Sequence, residues 1–186
     1  MRYPADQKQR TKQRILDAAS TLFRSRGYEA TGVDAVMASA CLTAGAFYAH
    51  FRSKEDLLAE SLDFSFCHSG GAWSKRLANL KGPEWVRKFA STYLSKAHRD
   101  NPDEGCPMPA LAPEIARIGG PSREVFEQYL RGLVDKVGHE TGRENAIPAI
   151  ALCVGGLMLS RAVGDPKLSD RILSACRAAV ENSAQV

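Results

Sequence analysis

Residues 43–54 of this chain carry the groups a protein uses to hold and read a polyanion. Tyr48, His50 and Lys54 can donate to phosphate oxygens, and Thr43, Ala44, Gly45 and Ala46 form a small-sided stretch whose backbone can come close to another backbone. Phosphate contacts position a protein on a duplex, whereas base edges must be read from within a groove. Thr43, Ala44 and Ala46 are the candidates for base reading, with Phe47 or Ala49 beside a thymine methyl. Phosphate contacts are expected from the N-terminal arm, from Tyr48 and Lys54, and from the Thr31 hydroxyl or amides near it. The positive end of a helix dipole near Ala44 would add to them. His50 is open between bonding a phosphate and holding its helix from inside.

A second chemistry is suggested by Cys106, which stands between Gly105 and Pro107 where a helix is expected to begin. The positive end of that helix would lower the thiol pKa and make Cys106 a nucleophile toward electrophiles, the alternative being a quiet buried thiol. Phe64, Phe66, Trp73, Trp85, Phe89, Tyr93, Phe126 and Tyr129 are more aromatics than a small helical body needs. Phe64, Phe89, Tyr93, Phe126 and Tyr129 are the candidates to line a cavity with Cys106, core packing being the alternative for each. Cys106 with His98 or His139 would be the thiol–base pair of an enzyme. No third orienting residue, nucleophile elbow or phosphate loop accompanies it.

The elements that must position these groups are legible as helices. Ile15, Leu16, Ala18, Ala19, Leu22 and Phe23 form one stripe of a first helix over 8–26, stopped by Gly27. Val33, Val36, Met37 and Ala40 form a second, capped by Thr31. Cys41, Leu42 and Thr43 make the turn, with Leu42 as its buried plug, and a third helix runs from about Ala44 to His50. Ser53 caps a long fourth helix, which Gly70 and Gly71 should kink or end. Helices are then expected from Gly82-Pro83, from Ala110 to Ile118, from Pro121 to Gly142, from Asn145 to Val163 and from Ser169 to Ser183, with a loop at residues 101–105. This is an all-α chain of about nine helices with no strand: an N-terminal three-helix head over 1–52 and a helical body over 53–186.

Tyr48-x-His50-Phe51-x-Ser53-Lys54-Glu55, with Ile15-Leu16-x-Ala18-Ala19-x-x-Leu22-Phe23, Gly27 and Thr31 upstream, resembles the DNA-binding head of TetR/AcrR-type repressors. The resemblance is close over about the first 60 residues and holds in outline beyond. It implies a helix-turn-helix head, a connecting fourth helix, and a ligand-binding and dimerisation body. It also implies a homodimer through the last two long helices, where Gly155 and Gly156 would allow close approach. The partners implied are a palindromic duplex DNA operator, a second copy of the chain, and a small hydrophobic or electrophilic effector. Cys41 departs from the pattern, since Gly usually ends the first reading helix in a left-handed conformation, so Cys41 should be strained. Met37, Gly32 and Ala44 also depart, which leaves base preference unreadable.

Composition agrees with this class and narrows the others. Apolar residues make up 44% of the 186 and charged residues 25%, as in an ordinary globular protein. The first 26 residues hold seven basic residues (Arg2, Lys8, Arg10, Lys12, Arg14, Arg24, Arg26) against Asp6 and Asp17, a surplus of five in a chain of net charge +4. Five cysteines at irregular spacing, without a C-x-x-C pair or a neighbouring His at metal-ligand intervals, argue against a disulfide framework or a zinc site, and no cofactor is expected. The N-terminus lacks a signal-peptide core, and the apolar run 147–159 is too short to span a bilayer. A reduced, cytoplasmic regulator is therefore expected. A helical adaptor that binds only protein and a cysteine-dependent enzyme are the rival classes.

Overall fold

The stripe of Ile15, Ala18, Ala19, Leu22 and Phe23 is buried along one side of α1, Ala5–Arg26, and the head is built on it. The computed structural model describes residues 5–183, with the side chains of 5, 6 and 68–74 left out. The arm expected over residues 1–7 thus lies partly outside the described residues, and from Ala5 onward it is already helix. Helix α2, Val33–Ser39, packs Val36 and Met37 against α1. A 3-10 helix, Ala44–Ala49, follows in place of the expected α-helix. Phe47 and Phe51 complete the core beneath it, and Leu42 is only partly buried.

The turn between α2 and the 3-10 helix has a defined hydrogen-bond pattern. The Leu42 amide donates to Met37 O (2.9 Å) and the Cys41 amide to Ala38 O (3.0 Å), the two bonds of a Schellman motif. This pattern needs a left-handed residue after the cap, and Cys41 supplies it with φ of 53°, the one non-glycine residue at positive φ among those described. A left-handed L-residue costs about 1–2 kcal/mol. Cys41→Gly is therefore expected to raise stability by about 1 kcal/mol, or about 2–4 °C in melting temperature for a chain of this size. A melt of the variant checks this; an unchanged or lowered midpoint would show the turn to be unstrained.

Ser53 caps α3, Lys54–Leu77, as expected, its Oγ accepting from the Asp56 amide (3.1 Å) while the Asp56 carboxylate accepts from the Arg52 amide (3.0 Å). These reciprocal bonds satisfy two orphan amides and fix the chain direction out of the head. The helix runs through Gly70 and Gly71 without a break, and the side chains around them, Trp73 included, lie outside the described residues. The body continues with α4, Gly82–Tyr93, α5, Lys96–Asp100, α6, Met108–Ile118, α7, Gly120–Thr141, α8, Arg143–Ala162, and α9, Pro166–Asn182. Ten helices thus stand among the described residues where nine were expected. The addition is α5, a short helix whose first turn Ser95 caps through the His98 amide.

Helix α3 lies against both α1 and α7, and α8 packs between α7 and α9. Gly156 faces inward here, which corrects its expected place in a dimer face. A Cβ on it would lie 2.8 Å from Cys176 Sγ on α9 and 3.2 Å from Leu94, so this glycine relieves crowding inside one subunit. Gly155 has open space on its side. Ile147 (64% exposed), Leu152, Met158 and Leu159 (53% exposed) lie bare on α8, and Leu168 is exposed at the start of α9. Complete α8 is longer than the apolar run seen in the sequence. It is 20 residues, long and apolar enough by composition to cross a bilayer, and 39% of its most apolar stretch is buried within the protein.

Candidate nucleic-acid interface and cavity

The outer surface of the head presents the small-sided stretch. Thr43, Ala44, Gly45 and Ala49 are exposed, Ala46 is half-buried, and Tyr48 stands out from the 3-10 helix at 77% exposure. Two expected contact residues point the other way. Phe47 is 1% exposed and packs on Phe51 and Tyr48, with ring centroids 5.6 and 5.2 Å apart, so it belongs to the core rather than beside a thymine methyl. Thr31 is 1% exposed and donates its hydroxyl to Gly27 O at 2.7 Å, so it neither caps α2 nor offers that hydroxyl to a phosphate. Gly32 takes the cap position.

His50 is half-buried, and its Nδ1 is enclosed without a hydrogen-bond partner among the described residues. Burial, then the charges of Lys8 and Lys12, pushes its pKa down, so the ring is neutral at pH 7. Lys54 lies over the Tyr28 ring, 4.0 Å from its centroid, and is held at the edge of the head. Several of the N-terminal basic residues also serve the fold. Arg14 donates to Ala40 O (2.6 Å), closing the C-terminus of α2, and Lys12 pairs with Glu60 on α3 at 2.5 Å. Lys8 and Arg26 remain exposed, as does Arg52, which lies within the signature at a position the motif leaves open.

In the body, α3, α4, α7 and the segment leading into α6 line a partly open cavity of about 430 Å³. Phe89, Tyr93, Tyr129 and Cys106 line it, together with Phe66, Trp85 and Met108. Phe64 does not. It is about 200° around α3 from Phe66 and lines an adjoining depression with Leu16, which shares Asp63, Val125 and Gln128 with the cavity. Phe126 is also outside the wall, packed edge-on behind Phe66 with centroids 6.5 Å apart.

Cys106 is buried, and its chemistry runs against the sequence expectation. Desolvation raises its thiol pKa, outweighing the lowering by Tyr93, the Met108 amide and nearby arginines. Nor is His98 its base. The Cys106 amide donates to His98 Nε2 (3.0 Å), so the ring proton sits on Nδ1, which donates to Tyr93 O (2.8 Å). Burial lowers the His98 pKa to about 4, so the ring is an uncharged strut between α4 and the loop before α6. Gly105 fits only because it lacks a side chain; a Cβ there would come within 2.4 Å of His98 Nε2.

Two contacts join this loop and α6 to the head. Arg24 of α1 donates from Nε to Asp103 O (2.8 Å) and from Nη1 to Ser65 Oγ on α3 (3.0 Å). Glu114 of α6 accepts from the amides of Tyr28 (2.8 Å) and Glu29 (3.1 Å), just past the end of α1. Asp103 is three residues from Cys106, so the cavity wall and the head share one stretch of chain.

Residues 15–61 match the sequence profile described as "Bacterial regulatory proteins, tetR family". The transposon Tn10 TetC protein of Escherichia coli is 41% identical over 49 residues, which cover 26% of this chain and 25% of that protein. The HTH-type transcriptional regulator AcrR of Shigella flexneri is 39% identical over 62 residues, 33% of this chain and 29% of that protein. The chain therefore spans less than a third of the length of either relative, and both matches bear on the head. Across the whole chain, a TetR transcriptional regulator from Chloroflexus aurantiacus has the same fold, with a TM-score of 0.81 over 95% of each chain at 21% identity.

Proposed function

We propose that the chain, whose residues 15–61 match the tetR family of bacterial regulatory proteins, is a ligand-responsive transcriptional repressor of that family acting in the cytoplasm. It binds a palindromic operator as a homodimer and leaves it when a small apolar molecule fills the body. The observation that carries this reading is the chain segment shared between cavity and head: Cys106 and Met108 line the cavity, while Asp103 holds α1 and Glu114 holds the residues just past its end. A molecule that binds one position of this segment better than another shifts the population of head positions. A coupling of about 1.4 kcal/mol is enough for a tenfold change in operator affinity. Noncovalent occupancy is favoured over attack on Cys106, since burial raises that thiol's pKa.

In this reading Thr43, Ala44, Gly45 and Ala46 face the bases, while Tyr48, Lys54, His50 and Arg52 face phosphates. Residues 1–52 form the head, and residues 53–186 form the body. Selection of duplexes from a random pool by the purified protein tests the reading. The expected product is a palindrome with half-sites about 34–36 Å apart, or further whole turns along. Failure to enrich any duplex would overturn the regulator reading, and an asymmetric product would overturn the twofold one.

The dimer face proposed is the exposed apolar side of α8 with the outer side of α9. Gly155→Arg sets a charge on it without touching the subunit's own packing, since nothing lies within 4 Å of that position. Sedimentation of this variant is expected to show monomer, with operator binding weakened in proportion. A dimer with normal binding would place the interface elsewhere.

A further inference from the structure

We infer that the cavity is a slot for a rod-shaped, largely apolar aromatic molecule, and that Gly132 sets the slot's width. The inference rests on the reading of this cavity as the effector site. Along α7 the lining residues Val125, Gln128, Tyr129, Gly132, Leu133 and Lys136 recur at i, i+3, i+4, i+7, i+8 and i+11. That is one straight stripe of about 16 Å on a single helix face. Flat aromatic surface adjoins this stripe. Phe66 of α3 stacks directly on Tyr129 of the stripe, with centroids 3.6 Å apart and planes 7° apart, so the two rings form one wall in contact, and Trp85 stacks on Phe89 of α4 at 5.0 Å and 16°. Polar groups mark the two ends, Asp63 with Gln128 at one and Lys136 at the other, so the slot suits linked rings with hydrogen-bonding substituents at their extremities.

Gly132 has no structural role that explains it. It is exposed, it is not at positive φ, and a Cβ added to it would meet no atom within 4 Å. Glycine inside a helix is nonetheless less stable than alanine there. What the missing side chain does provide is open room on the α7 wall, between Tyr129 and Lys136.

The test uses the purified full chain and the fluorescent probe N-phenyl-1-naphthylamine. Wild type is expected to bind it, with trans-4-hydroxystilbene displacing the probe and the globular adamantan-1-ol failing to. Gly132→Ala should bind the probe nearly as wild type does and melt about 2–4 °C higher. Gly132→Leu should weaken probe binding about tenfold or more, because the slot rejects the added bulk, while the variant still binds the selected operator. The inference is overturned if wild type does not bind the probe, if Gly132→Leu binds it as well as wild type does, if Gly132→Ala lowers the melting temperature, or if adamantan-1-ol displaces the probe equally. None of these results touches operator binding, and failure of duplex selection would leave the slot measurements unaffected, so the two readings fail separately.

Discussion

Phe47→Ala is expected to unfold the head. A fully buried phenylalanine truncated to alanine costs about 3–5 kcal/mol, and whole domains are stable by about 5–15 kcal/mol. Phe47 lies in the same buried cluster as Phe51, Met37 and Val36, on a 3-10 helix of six residues. Circular dichroism should show a lower or two-step melt, and operator binding should be lost on every sequence alike. A variant that stays folded and merely changes its preferred operator would return Phe47 to the groove and refute its assignment to the core.

The second large effect is expected at the junction between cavity and head. Arg24 is partly buried, and desolvation lowers its pKa against the pull of Asp103 and Asp17, so its hydrogen bonds hold it in place. Arg24→Ala removes the donors to Asp103 O and Ser65 Oγ, and Glu114→Ala removes the acceptor of two amides. Hydrogen bonds to charged groups contribute about 1.5–3 kcal/mol each, so the double variant should lose several kcal/mol of head-to-body coupling. Titrating operator against effector is expected to show DNA binding that no longer responds to an occupied cavity. If the double variant is released as readily as wild type, coupling runs through α3 alone.

Much of the scaffold was legible because it depends on local chemistry. The α1 stripe, the Ser53 cap, the start of α4 at Gly82 and the strain at Cys41 all follow from residue type at fixed spacing, without knowledge of neighbours. What stayed hidden depends on partners far along the chain. A buried Phe47 and an exposed one have the same sequence context, and Thr31 looks like a cap until Gly27 O is found 2.7 Å away. The basic surplus looked like a surface for DNA, yet Lys12, Arg14 and Arg24 are engaged with Glu60, Ala40 and Asp103. The α7 pattern was the closest to being readable. Val125, Tyr129 and Leu133 have the spacing of a core face, and only Gln128, Gly132 and Lys136 on the same stripe distinguish a cavity wall from packing.

The strained turn at Cys41 also affects how the head moves before it meets DNA. The left-handed residue sits between the two helices that must be ordered together, so its strain lowers the free energy needed to open them relative to a glycine turn. Transient opening exposes the amides of Leu42 and Ala40, whose acceptors are Met37 O and Val36 O. In native-state hydrogen exchange these amides should be among the fastest of the head's bonded set, and an operator duplex, which needs the turn closed, should slow them most.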